Sequence, residues 1–389
     1  MHLQTMNSSS SIGKRALESH RKLAGKIEVK SKVTLKSAED LSIFYTPGVG
    51  AVSSYLASHK NEMRDFTIKK NTVAVISDGS AVLGLGNIGP EGTLPVMEGK
   101  AMLFKELADV NAFPIVLSTQ EIEGIVETVK NIALVFGGIN LEDIAAPNCF
   151  EIERRLIQDL DIPVVHDDQH GTAIVVLAAL INSFKVIQKN LIDSKVVIIG
   201  AGAAGSGVAR ILIEYGVVNI LVVDSQGIIS KKRQDLDFNK KALANSTNLD
   251  HISGNASKAV SGADVIIGLS TGGRGKITSQ MIKTMNSKPV IFAMANPDPE
   301  ILPNDARAAG AFIVATGRSD FPNQINNVLV FPGLFRGALD NRVRRITTKM
   351  KIKAAENLAS CVENPSFNSI LPSVFDKSVV KRVSSAIKS

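Results

Sequence analysis

Lys195–Ile199 (KVVII) runs without a spacer into Gly200-Ala201-Gly202-Ala203-Ala204-Gly205, and the apolar residues of Ser206–Tyr215 then recur at helical spacing. Few folds accommodate that junction. Gly200 permits a tight turn, Gly202 lets backbone approach a ligand, and Gly205 lets the helix pack close against the strand. The helix aims unpaired N–H groups and its positive dipole end at the loop, which suits a pyrophosphate. The next strand, Ile220–Val223, ends in Asp224, a little over 20 residues on, where a carboxylate can accept hydrogen bonds from adenosine ribose hydroxyls. With Ala203 and Ala204 completing the loop, the pattern predicts a dinucleotide site. Asp224 favours NAD by repelling a 2′-phosphate; Ser225 and Gln226 take neither side, so NADP stays open.

The rest of the chain alternates in the same way. Thr72–Ser77 reads as a strand ending in Asp78-Gly79, followed by the glycine-dense stretch Gly84, Gly86, Gly89 and Gly92. Leu94–Leu107 reads as a helix, Phe113–Leu117 as a strand, Glu121–Val135 as a helix, and Glu142-Asp143 closes a further strand. Gly171–Phe184 reads as a helix, and short apolar strands follow at 264–268, 289–293 and 311–315. The expected fold is α/β: an N-terminal catalytic domain, a Rossmann-like doubly wound domain, and C-terminal helices packing back on the first. The boundaries are 1–15 for a disordered extension, 16–165 for the catalytic domain, 166–335 for the dinucleotide domain and 336–389 for the last helices. The Ser-rich, basic start, with Glu18 as the only acid through Lys22, resembles a transit peptide in composition, but an extension is the simpler reading.

Composition removes several classes. Cys149 and Cys361 are too few for a disulfide framework or a zinc site, which fits a reducing, cytoplasmic setting. No apolar run is long enough to suggest a membrane protein, and Ala173–Ile181 reads as buried helix. The net charge of +7 comes largely from Arg336–Lys353, with seven basic residues against Asp340. Trp is absent and no aromatics interleave there to stack on bases, so a solvated helix face is expected and no nucleic acid.

Two acidic pairs remain, Glu142-Asp143 and Asp167-Asp168. Adjacent carboxylates facing one site repel unless a cation neutralises them, and oxygen-only ligation suits Mg²⁺ or Mn²⁺. Asp167-Asp168 could equally cap the helix that follows. His166 and His170 read as structural rather than ligating.

Taken together, Tyr45-Thr46-Pro47-Gly48-Val49, the Ser77–Gly89 stretch, Pro95-Val96-Met97-Glu98-Gly99-Lys100, Glu142-Asp143, His166–Ala173, the Gly200 loop, Ala295-Asn296-Pro297, Ala315–Asp320 and Asn326-Asn327-Val328 resemble, in order, malic enzymes of the short bacterial type. The resemblance runs from about Ala16 to the C-terminal helices. It implies Tyr45 as general acid, Lys100 as general base, and Glu142, Asp143 and Asp168 as metal ligands, with Asp167 beside them. It further implies Asn296 and Asn327 as substrate-binding residues with Asn326 close by, Asn296 also lying near the cofactor, and a homodimer. The implied reaction converts L-malate and NAD(P)⁺ to pyruvate, CO₂ and reduced cofactor. Lys100 would need a depressed pKa to act as base. One departure concerns Ala81, where larger relatives carry a carboxylate-clamping arginine; loop N–H groups or Arg318 are the substitutes on offer. The alternative within the same lineage is an oxaloacetate decarboxylase, against which the intact Gly200 loop and Asp224 argue. A plain 2-hydroxy acid dehydrogenase would not need the acidic cluster. A nucleotide-sensing module would tolerate loss of Tyr45 and Lys100, and both are present.

Overall fold

The computed structural model describes residues 11–82, 84–270 and 273–388. Two parallel sheets organise them. The first contains β1 (Thr72–Ser77), β2 (Asn111–Val116), β3 (Gly138–Leu141) and β4 (Val164–His166) in the order β2-β1-β3-β4. The second contains β5 (Lys195–Ile199), β6 (Asn219–Asp224), β7 (Gly227–Ile228), β8 (Val265–Gly268), β9 (Val290–Ala293) and β10 (Ile313–Thr316), ordered β10-β9-β8-β5-β6-β7, with only β7 antiparallel. β1 and β8–β10 are buried along their whole length, as expected of strands covered on both faces. In each sheet the strand order reverses beside a central strand, β1 or β5. Such reversals open a crevice at the carboxyl ends, where ligands bind.

The helices named here are α1 (Ser11–Leu23), α2 (Ala38–Phe44), α3 (Gly48–Ser58), α4 (Gly89–Ala108), α5 (Ile122–Ile132), α6 (Asn148–Asp159), α7 (Asp167–Ile187), α8 (Ala203–Tyr215), α9 (Phe331–Asp340), α10 (Thr348–Ala359) and α11 (Ser378–Ser384). α7 starts four residues earlier than its apolar spacing suggests, directly after β4, so Asp167 and Asp168 form its first turn. By length and composition α7 is the one described helix that could cross a bilayer, which the apolar run alone had not revealed. It is instead the spine of the largest core, with Ile174–Leu180 fully buried against α8, β5 and α10. α9 carries the chain back to the first sheet, where Phe331 and Phe335 pack on Phe104 of α4. α10 lies on α7, and α11 braces α9 from behind.

Residues 11–15, expected as part of a structureless extension, are helical within α1; residues 1–10 and Leu83 lie outside the described residues. The basic run 336–353 is largely paired, with Arg336 on Asp340, Arg342 on Asp65, Arg344 on Asp161 and Lys353 on Glu356.

Candidate active site

The carboxylates gather at the carboxyl end of the first sheet. β3 ends at Leu141 and delivers Glu142 and Asp143; its neighbour β4 ends at His166 and delivers Asp167 and Asp168. Glu142, Asp143 and Asp168 each present an oxygen within 4.8 Å of the others. The backbone holds this shape. Asp143 takes φ +53°, its N–H donates to Asp168 Oδ2 (2.9 Å), and its carbonyl accepts from Ala81 N–H (3.0 Å). Ser80 ties the loop after β1 to the same corner: its hydroxyl donates to Asp78 and accepts from Ala145 N–H (2.8 Å).

The alternative in which Asp167-Asp168 caps α7 is thereby resolved. The capping position is His166, which makes no side-chain cap, and Asp168 is engaged with Asp143 across the site. Burial raises the pKa of Glu142, Asp167 and Asp168, with Lys100 opposing and neighbouring carboxylates adding to the rise. A cluster of hard oxygen donors whose anionic form is costly fits a divalent cation such as Mg²⁺ or Mn²⁺.

Lys100 projects from α4 into this cluster and is 6% exposed. Its ammonium contacts Asp167, lies 2.5 Å from Glu142 Oε1, and sits 4.3 Å above the Phe331 ring. A depressed pKa was expected for a base; here it is raised. Burial opposes the charge, but Asp167 and Glu142 outweigh it. In this state Lys100 is the counter-ion of the cluster.

His166 and His170 stand outside the three-carboxylate cluster. His166 is fully buried, with Nε2 3.7 Å from Asp168, and burial lowers its pKa. His170 bridges Glu153 (3.0 Å) and Lys351 (2.9 Å). Glu153, which sequence reasoning missed, accepts from His166 N–H (2.7 Å), Gln169 and His170. Burial opposes its charge, yet His170 and its other cationic neighbours hold it down to about 2. It is the brace that fixes the start of α7, and its signal is an acidic residue on a buried helix face.

Across the crevice lies the Gly200 loop. Gly200 has φ +122°, and a Cβ there would meet Leu269 O at 2.3 Å; a Cβ on Gly205 would meet Gly200 O at 1.9 Å. At Gly202 a Cβ would meet nothing within 4 Å. Two glycines are thus required by packing, while the third faces open space where a phosphate fits. Ala203 and Ala204 open α8, whose N-terminus has no side-chain cap, leaving its N–H groups to a ligand. Ala203 also packs against the core of the first sheet.

Asp224 ends β6 as expected, but its oxygens are already taken. Arg233 (2.7 and 3.1 Å) and Lys240 (2.9 Å) donate to both, and Gln226 N–H donates to Oδ1 (2.9 Å). The repulsion expected to exclude a 2′-phosphate is therefore offset by two cations, because the β6–β7 turn folds Arg233 back over the strand end. The residues suit NAD and NADP alike.

The asparagines divide. Asn296, following β9, approaches the first-domain loop so closely that a Cβ on Gly84 would lie 1.6 Å from its carbonyl oxygen. Asn327 sits beside Gly171 and the first turn of α7. Asn326 instead caps the turn Asn327–Leu329, accepting from Val328 N–H (3.0 Å). Arg318 pairs with Asp320 and donates to Pro297 O (3.0 Å), one residue from Asn296. Tyr45 is not brought to the cluster: it is 63% exposed, and its hydroxyl makes no hydrogen bond among the described residues.

Comparison with known proteins completes the picture. Residues 24–157 match the family model "Malic enzyme, N-terminal domain" and residues 169–388 match "Malic enzyme, NAD binding domain". The chain is 51% identical to the bifunctional malic/malolactic enzyme of Bacillus subtilis, over 97% of this chain and 92% of that one. It is 53% identical to the NAD-dependent malic enzyme of Geobacillus stearothermophilus, over 94% of this chain and 76% of the relative. The crystal structure of an NAD-dependent malic enzyme from Thermotoga maritima superposes with TM-score 0.92 at 49% identity, covering 96% of this chain and 98% of that one.

Proposed function

The chain belongs to the malic enzyme family, and on that premise we propose that it oxidatively decarboxylates L-malate to pyruvate and CO₂ while reducing NAD(P)⁺. The observation that carries this reading is the crevice itself. Three clustered carboxylates and a buried lysine stand at the end of one sheet, and a glycine loop stands at the end of the other, joined where Gly84 meets Asn296. Glu142, Asp143 and Asp168 would hold the divalent cation. When bound, the cation supplies charge that acidifies an alcohol and stabilises an enolate, and the nicotinamide accepts hydride.

The chain's own groups handle orientation and protons. Asn296 and Asn327 orient the substrate from the second domain and from the α7 side. With a cation taking over the charge of Glu142 and its neighbours, Lys100 would no longer serve as their counter-ion and could lose its proton. The neutral amine then takes the C2 hydroxyl proton as hydride leaves C2. Asp167, in contact with its ammonium, then stabilises the charge Lys100 acquires. Decarboxylation at C3 leaves an enolate, and Tyr45 delivers the proton that converts it to pyruvate. Burial of Lys100 and Asp167 keeps water from competing for the C2 hydroxyl proton. The free thiols of Cys149 and Cys361 suit a reducing, cytoplasmic setting.

The test is an assay with L-malate and Mn²⁺, following cofactor reduction with NAD⁺ and NADP⁺ separately and pyruvate alongside. Metal-dependent reduction matched by pyruvate is expected. Pyruvate released from oxaloacetate, with no cofactor reduced from malate, would move the chain to the decarboxylases.

A further inference from the structure

β6, which ends in Asp224, lies on one flank of β5, and β8, β9 and β10 lie on the other. A dinucleotide whose adenosine reaches toward β6 and whose phosphates sit on the Gly200 loop carries its nicotinamide over β8, β9 and β10. The segment after β9, Asn296-Pro297-Asp298-Pro299-Glu300, borders this half of the crevice. It ends in a carboxylate that the reaction outlined above leaves unused. Glu300 is 0% exposed and bridges the ends of two strands. Its Oε1 accepts from the N–H (3.1 Å) and the hydroxyl (3.2 Å) of Ser270, just beyond β8. Its Oε2 accepts from Ala295 N–H (3.1 Å), just beyond β9. Its carbonyl accepts from Gly275 N–H (2.9 Å), which draws the later part of the β8 loop to the same point.

Its partners are peptide N–H groups and a hydroxyl, with no cation among them. Burial raises the Glu300 pKa, and these donors oppose the rise. Packing alone gives no reason to keep such a group, since an apolar side chain would fill the space without the desolvation cost. The chain nevertheless makes room for it: a Cβ on Gly268 would lie 2.5 Å from Glu300 Cδ. What the bridge fixes is the approach to Asn296. Glu300 holds the N–H of the residue before it. The Asn296 carbonyl is seated against Gly84, where a Cβ would come within 1.6 Å. Its side-chain amide is seated against Gly317, where a Cβ would lie 2.6 Å from Nδ2. Asn296 thus fits in one place, and the carboxylate behind it keeps the strand end there. A glutamine could not do the same, because its NH₂ would face an N–H at one of the two strand ends.

We propose that Glu300 is a positioning residue for the reaction: by bridging the ends of β8 and β9 it holds Asn296 where malate meets it, and it acts on the substrate only through Asn296. This rests on the substrate role given to Asn296 above. It explains why a carboxylate with no cation is kept in the interior, and why Gly268 stands opposite it.

A double-mutant cycle on the full-length protein tests it. Malate KM and kcat are measured for Glu300→Gln, Asn296→Ala and the double variant, with Mn²⁺ affinity as the check that the first sheet and its carboxylates are intact. Glu300→Gln should raise malate KM about tenfold, the order expected when a buried donor loses its acceptor, with kcat moving less and Mn²⁺ affinity unaltered. Asn296→Ala should raise KM at least as far. Adding Glu300→Gln to Asn296→Ala should then raise it no further, because two residues on one path do not add. Losses that add in the double variant would overturn the proposal, and so would a Glu300→Gln enzyme with normal malate KM. If Glu300→Gln loses its fold, Gly268→Ala carries the same test, since its methyl presses on the carboxylate without removing it. It should raise malate KM in the native chain and leave it unmoved beside Asn296→Ala; the opposite pattern overturns the proposal. An Asn296→Ala enzyme with normal malate KM would instead remove Asn296 from its substrate role, and the bridge would lose its purpose with it.

Discussion

The two sheet ends that face each other hold opposite charges by opposite means. At the first sheet, side chains do the work: Glu142, Asp143 and Asp168 converge within 4.8 Å, and Lys100 balances them until a cation does. At the second sheet, backbone does it: the Gly200 loop offers N–H groups and open space, and its residues carry no charge. A cation site must concentrate anionic oxygens that repel one another, so it needs bracing by Asp143's backbone, Ser80 and Glu153. An anion site needs only that nothing project into it. The first is costly and specific, the second cheap and general.

If the two ends work separately, they should also break separately. The largest effect is expected at the first. Asp168→Asn should lower turnover and Mn²⁺ affinity by more than the roughly 10–100-fold seen for residues that merely support a ligand, while dinucleotide affinity measured by reduced-cofactor fluorescence holds steady. A comparable loss of cofactor binding would show that the metal corner shapes the glycine loop. The converse substitution, Gly202→Ala, should weaken dinucleotide binding about tenfold, or ~1.4 kcal/mol, because its methyl enters the space facing the phosphates. Mn²⁺ titration should be unaltered; a matching loss there would join the two ends into one unit. The smallest effect concerns cofactor choice. Arg233→Ala should frees Asp224's carboxylate for ribose hydroxyls and shift the NADP⁺ to NAD⁺ ratio of kcat/KM downward about fivefold, or ~1 kcal/mol. An unmoved ratio would reduce Arg233 to a brace for the β6–β7 turn.

Much of this contrast is legible in the chain. The Gly200 loop could be read because its constraints are local: a strand, a turn and a helix in sequence demand glycine at fixed offsets. The acidic pairs were legible as residues but not as a site, since one reading of Asp167-Asp168 was a helix cap. Only the pairing of β3 beside β4 brings Asp168 to Asp143. Glu153 showed only as an acidic residue on a helix face, and Gly84 only as one glycine of a dense loop. The first matters because α6 packs behind β4, and the second because two loops more than 200 residues apart in the chain touch at Asn296.

The sequence by itself determined the alternation of strands and helices, the dinucleotide loop, the residues available to hold a cation and the family to which they belong. These follow from periodicity, glycine placement and charge, which act over a few residues. The tertiary structure alone decided the electrostatic states. The pKa of Lys100 is raised where a base needs it lowered, because Asp167 and Glu142 sit against its ammonium. Asp224 is neutralised where it was expected to repel, because Arg233 and Lys240 fold onto it. Tyr45 stands in solvent, away from the residues it was expected to join. Charge states depend on which groups burial brings together, and that is set by packing between segments far apart in the chain.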